Sequence, residues 1–201
     1  MEYEKVSGNI ENVMCGIAGK ICLGSGGVSE KELAALSAAI EHRGPDDRGI
    51  YMSRDGKLGL VHTRLAILDL TPRGHQPMSY LGRYVITFNG EIYNFIQEKK
   101  NLIKLGYKFT SGTDTEVILA LYDRYGIGWL EHLRGMFAFA IYDNLKKTVF
   151  LARDRLGKKP LKYFFDGKVF IFASELKAIL TQKEVKRIPD WMAIDSFFTY
   201  G

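Results

Sequence analysis

The chain has 201 residues, 46% of them apolar and 25% charged, with 28 basic and 23 acidic side chains giving a net charge of +5. That suffices for one domain with a real core, or one domain and the beginning of a second, in an ordinary soluble balance. No apolar run approaches the roughly 18 residues that span a bilayer, the basic excess is spread over pairs such as Lys99-Lys100, Lys146-Lys147 and Lys158-Lys159 and does not gather into a nucleic-acid face, and four histidines with two cysteines form no metal-ligand cluster.

Residues 1–14 are polar, carry Glu2, Glu4 and Glu11, and lack the apolar core of a signal peptide; they read as a leader, a tag remnant or an upstream start. Residues 15–23 read as a strand. Cys15 and Cys22 lie on it about 23 Å apart in extended chain, too far for a disulfide, which points to a reducing, cytosolic compartment. Past a glycine turn, Ser29 and Glu32 form a capping box ahead of Leu33, Leu36 and Ile40 at helical spacing. Gly44 and Pro45 stop that helix. Asp46 to Asp55 is loop and short strand. Leu58 to Leu68 is a strand running into a loop, with His62 and Arg64 on it. Thr71 to Pro77 is a turn segment. Tyr84 to Phe88 is a strand that Asn89-Gly90, a strong hairpin signal, should terminate.

Helices are expected over residues 94–105 and 115–125, the second with Thr113 and Glu116 as another capping box, and a short helix over Trp129 to Leu133. Strands follow at Met136–Tyr142, Val149–Ala152, Leu161–Phe165 and Val169–Ala173, joined by turns at Asp143-Asn144 and Asp166-Gly167. The strand containing Phe137, Ala138, Phe139, Ala140 and Ile141 is apolar on both faces, so layers must cover it on both sides. Ser174 should cap a last helix reaching Leu180. Residues 181–201 change character: Lys183, Lys186, Arg187 and Pro189 read as a linker, then Asp190 to Tyr200 as a new helix. The expected organisation is therefore a leader at 1–14, a domain at 15–180, and at 181–201 a linker with the start of a further domain.

Four polar clusters sit at element ends or in loops, where sites concentrate: Cys15-Gly16; Arg64; Asn89-Gly90-Glu91; and Thr113-Asp114. Taken singly each has a bland reading. Cys15 is a small buried apolar residue, Arg64 a surface cation, Asn89-Gly90 a turn and Asp114 a helix cap. Cys22 reads as core and His62 as a packing residue. A cysteine at a free N-terminus, by contrast, unites a nucleophilic sulfur and a basic amine on one residue and needs no separate histidine.

Five motifs in order, CGIAG at Cys15–Gly19, HRGPDD at His42–Asp47, RLAILDL at Arg64–Leu70, FNGEIYN at Phe88–Asn94 and ARDRLGKKPL at Ala152–Leu161, resemble the N-terminal-nucleophile glutaminase domain of class II glutamine amidotransferases, in the asparagine synthetase branch. The resemblance runs from Cys15 to about Leu180. It implies an α+β fold, a four-layer αββα sandwich of two mostly antiparallel sheets. It implies Cys15 as nucleophile, with its α-amine as base, and an oxyanion hole from the Asn89 side chain and the Gly90 N–H. Arg64 would hold the α-carboxylate of L-glutamine and Asp114 its α-ammonium. Glu91 would help read that end, and the backbone of Leu65 and Ile67 would line the pocket. No cofactor is implied in this chain; ATP and Mg belong to a covalently linked C-terminal synthetase domain that makes asparagine from aspartate. A homodimer is compatible with the resemblance, and neither a nucleic-acid nor a membrane partner is expected. Two further readings stand beside it: the same glutaminase serving a sugar or polysaccharide acceptor, and a catalytically silent regulatory domain of the same fold. The chain departs from the pattern twice. Fourteen residues precede Cys15, and Lys162 stands where an aromatic is usual, at a place expected to affect packing or the interdomain face and not hydrolysis.

Overall fold

The computed structural model describes residues 14–200, so the expectations for residues 1–13 and for Gly201 lie outside the described residues. The layering follows from β6 (Gly135–Asp143). Side chains alternate across a strand. Phe137, Phe139 and Ile141 therefore enter one buried cluster with Trp129 and Ile118, while Ala138, Ala140 and Tyr142 enter another with Ile17, Leu60 and Phe172. Each fully buried large side chain here, such as Phe139 or Leu60, contributes about 1.5–3 kcal/mol by leaving water.

Two antiparallel sheets build the middle layers. One runs β2 (Asp47–Met52), β3 (Leu58–Arg64), β1 (Gly16–Cys22), β9 (Val169–Ala173), β8 (Lys162–Phe165). The other runs β4 (Met78–Tyr80), β5 (Tyr84–Ile92), β6, β7 (Thr148–Arg153). β1 and β3 pack on β5 across a shared layer that includes Ile17, Leu58, Leu60 and Val85. Outside the first sheet lie α1 (Glu30–Ala39) and α4 (Leu176–Ile179), which share a core with Ala18, Val61 and Ala173. Outside the second lie α2 (Phe95–Lys104) and α3 (Asp114–Tyr125). The result is an αββα sandwich, as the two-faced apolar strand requires. No described helix is long and apolar enough to cross a membrane.

The capping box at Ser29 and Glu32 is present in both directions. Several local readings change in the folded chain. Asn89-Gly90 does not end a strand: β5 continues through both to Ile92, because Asn89 pairs with Ala138 and Gly90 with Phe137 across β6. At α3 the Thr113 hydroxyl does accept from the Glu116 N–H, but the Glu116 carboxylate accepts instead from Thr110 and Ser111, so the second box is only half formed. Ser174 does not cap α4. Its hydroxyl accepts the N–H of Ile17, tying β9 to β1, and α4 is only four residues long. The expected short helix at Trp129 is a 3-10 segment, Gly126–His132. Lys162 opens the edge strand β8, paired with Ala173 and exposed. Towards the C-terminus, α5 (Trp191–Tyr200) buries none of its residues.

Candidate active site

Cys15 sits at the entrance of β1, at the end of the sandwich where β3 and β5 run out into loops. Backbone holds it from two sides. Its Sγ accepts the Leu65 N–H at 3.4 Å and lies 3.6 Å from the Leu65 carbonyl as donor, while its own carbonyl accepts from Arg43 Nε at 3.2 Å. Arg43 is in turn fixed by Glu175, 2.8 Å from Nη1. Burial pushes the Cys15 thiol pKa up from its usual 9.0, against the opposing pull of the Leu65 N–H, Arg64 and Lys159. At neutral pH the resting sulfur is therefore protonated, and a base must take its proton before attack.

Arg64 ends β3, and its guanidinium donates to the carbonyls of Leu68, Asp69 and Thr71, so the loop that follows wraps its own cation. Gly74 is needed there: a Cβ would stand 2.0 Å from Arg64 Nη2. Asp114 opens α3, buried to 4% exposure, with one carboxylate oxygen accepting the Ile92 N–H of β5 at 3.0 Å. Burial drives its pKa from 3.8 to about 6, with Glu91 adding to the rise and backbone N–H groups opposing it. Among the described residues, Arg64 has no carboxylate partner and Asp114 no cationic one. A buried charge left unpaired by its own chain is expensive, so two of opposite sign on one cleft mark a place for a dipolar ligand.

That cleft, about 60 Å³, is lined by Cys15, Arg64, Leu65, Ile67, Gly90, Glu91 and Asp114. The fold thus brings together every proposed catalytic or substrate-binding residue except Asn89, which stands between the lining residues Phe88 and Gly90, 1% exposed, with its side-chain Nδ2 lacking a partner among the described residues. His62 is fully buried and donates from Nε2 to the Phe88 carbonyl at 3.0 Å; burial holds its pKa down at about 4, so it is a neutral packing residue. The sequence gives no local signal for two further contributors. Gln76 accepts the Phe88 N–H at 2.7 Å and lines the cleft, and Arg43, from the HRGPDD motif, reaches the Cys15 carbonyl. A larger cavity of about 610 Å³, bounded by Arg73, Tyr80 and Tyr107, opens elsewhere and contains none of the clustered residues, so size alone does not mark this site.

Comparison with known proteins identifies the family. The family model described as glutamine amidotransferase domain matches residues 14–201. A Methanocaldococcus jannaschii protein assigned as asparagine synthetase (glutamine-hydrolysing) 2 is 46% identical over 207 residues, covering 94% of this chain and 39% of its own length. Asparagine synthetase (glutamine-hydrolysing) 3 of Bacillus subtilis is 38% identical over 192 residues, covering 94% of this chain and 31% of its own. The chain thus spans between about a third and two fifths of these relatives. Among solved structures, the glutamine phosphoribosylpyrophosphate amidotransferase of B. subtilis superposes with a TM-score of 0.68 at 24% identity, over 82% of this chain and 43% of that one, a likeness of fold. The chain belongs to the glutamine amidotransferase family, as an enzymatic class II, N-terminal-nucleophile domain related to the glutaminase domain of asparagine synthetases.

Proposed function

We propose that Cys15 becomes the N-terminal residue, through removal of residues 1–14 or a start at Met14, and that it hydrolyses the side-chain amide of L-glutamine. The α-amine takes the thiol proton and the sulfur attacks the amide carbon. The resulting oxyanion is met by the Gly90 N–H and by the Asn89 side-chain amide, whose buried nitrogen has no partner among the described residues. Such a donor is worth about 3 kcal/mol in barrier. The protonated amine then gives its proton to the departing ammonia, leaving a γ-glutamyl thioester. Water attacks the thioester, loses a proton to the amine, and releases glutamate as the sulfur is reprotonated.

The observation that carries this reading is the unpaired Arg64 and Asp114 on the cleft that holds Cys15. Free glutamine bears a carboxylate and an ammonium at one end, and this pair reads both, with the planar fork of arginine suited to the carboxylate. Glu91 reinforces the ammonium side, and Leu65 and Ile67 wall the side-chain channel. The ammonia serves a covalently linked, ATP- and Mg-dependent synthetase domain that converts aspartate to asparagine, in keeping with the names of the relatives. The domain limits follow: glutaminase at 15–180, then a linker and α5, whose exposed Trp191, Phe197 and Phe198 are apolar surface for such a domain to cover. We place the protein in the cytoplasm, where thiols stay reduced.

The test is ammonia release from glutamine with the N-terminus established by intact mass. Cys15→Ala should lower turnover at least about 1000-fold. Unchanged release would remove Cys15 from the chemistry, and full activity in protein that retains Met1 would remove its amine as the base.

A further inference from the structure

Lys159 has no part in the scheme above, yet it is buried beside the nucleophile, 6% exposed. A tightly held loop puts it there. The Asp154 carboxylate accepts the N–H groups of Phe137, Lys158 and Lys159, and Arg153 Nε donates to the Lys159 carbonyl at 2.7 Å. With the backbone so fixed, the side chain extends to Met14, where Nζ donates to the thioether sulfur at 2.9 Å. A thioether is a weak acceptor, and among the described residues no carboxylate pairs with this ammonium. Burial accordingly lowers its pKa, while Glu91 of β5, Cys15 and Asp154 raise it and Arg43 lowers it further. The Cys15 sulfur is faced in turn by Arg64 from β3, Asp114 from α3 and Lys159.

The atom that Nζ touches belongs to the residue immediately before Cys15. If Cys15 is the mature N-terminus, as the glutaminase reading requires, the sulfur that Nζ binds departs with Met14 and the ammonium is left facing the new terminal residue. We propose that Lys159 is a positioning residue that acts electrostatically through Cys15, favouring thiolate over thiol and neutral amine over ammonium. A nearby cation lowers the pKa of both groups. Both changes favour what attack needs, a sulfur that yields its proton and an amine free to receive it. Arg64 cannot supply this alone, because in the Michaelis complex its charge is met by the substrate carboxylate.

The test is a pH titration of Cys15 alkylation by iodoacetamide on the isolated protein with Cys15 established as its N-terminus by intact mass, read on the Cys15 peptide by mass spectrometry so that Cys22 does not contribute. Lys159→Met should move the alkylation midpoint to higher pH and slow the reaction about ten-fold near neutrality. Lys159→Gln should behave alike, and the two neutral variants are paired so that either can decide if the other fails to fold. Lys159→Arg should restore the wild-type midpoint. Ammonia release should show the same order along its acid limb. Midpoints that coincide in the wild type and a folded neutral variant, or a loss of rate uniform across pH, would overturn the proposal. A wild type that releases no ammonia from glutamine, but whose Cys15 titration still depends on Lys159, would count against the glutaminase reading and not against Lys159.

Discussion

Asp114 is buried to 4% exposure with its pKa raised from 3.8 to about 6, chiefly by burial. The sign is fixed by that direction. The folded chain binds the proton more tightly than the unfolded one, so this group's contribution to stability is complete below about pH 3.8 and is lost as pH rises through about 6. A ligand ammonium reverses the preference, because it needs the carboxylate. Glutamine KM should therefore rise as pH falls below about 6. Asp114→Asn should keep the contact to the Ile92 N–H, abolish that acid limb and raise KM by about 30-fold or more, the cost of leaving a charged partner unmatched. It should leave Tm unchanged or higher, since an unpaired buried charge is removed. Steady-state kinetics against pH and thermal melts check this together. A fall in Tm with KM unmoved would make Asp114 a purely structural cap.

Asn89-Gly90 illustrates what a strand pairing does to a local signal. The dipeptide favours a turn in isolation. Here β5 and β6 pair in one unbroken register from Tyr84 opposite Asp143 to Ile92 opposite Gly135, and the turn preference is overridden. No short window contains β6, so the continuation of β5 was not legible locally. The same is true of Gly74 and Gln76, which matter through contacts with Arg64 and Phe88. What was legible rests on short range or on strong patterns: the Ser29 cap, the two-faced β6, and the motif order that joins Cys15, Arg64, Gly90 and Asp114 in one cleft. Ser174 and Glu116 carry local cap signals that the fold does not use, because each finds a distant or irregular partner in place of the helix end beside it. Gly90 itself allows a measurement. A Cβ there would stand 2.2 Å from the Met136 carbonyl oxygen, a backbone atom that cannot swing away. Gly90→Ala should cost about 1–3 kcal/mol in urea unfolding and suppress ammonia release. Gly128→Ala, which meets nothing within 4 Å, should stay within about 0.5 kcal/mol. Equal costs at the two positions would contradict the close approach of β5 to β6.

Across the whole molecule, one buried cation joins the chain beyond α4 to the sandwich. Lys20 of β1 is 0% exposed, and its Nζ donates to Glu32 of α1 at 2.8 Å and to Glu184 at 2.9 and 3.0 Å, with Gln182 at 3.4 Å. Burial opposes the ammonium, but the hydrogen bonds to Glu32 and Glu184 outweigh it and leave the Lys20 pKa raised above 10.5. Glu32, though burial would raise it, is lowered from 4.5 to about 2 by Lys20 and by Ser29. The contribution of Lys20 is thus complete below pH 10.5 and that of Glu32 complete above pH 4.5, the latter fading as pH falls through about 2. This cluster fixes the path of residues 182–184 against β1 and α1. Lys20→Ala, which strands two carboxylates, should destabilise the domain by about 3–5 kcal/mol. Glu184→Ala should act locally: amide exchange over residues 181–186 should quicken while exchange in β1 and β6 stays slow. Exchange mapped by mass spectrometry separates the two behaviours. If Glu184→Ala left residues 181–186 as protected as before, the segment would be held by its apolar contacts, such as Val185 against the α1 side of the core, and Lys20 would serve β1 and α1 alone.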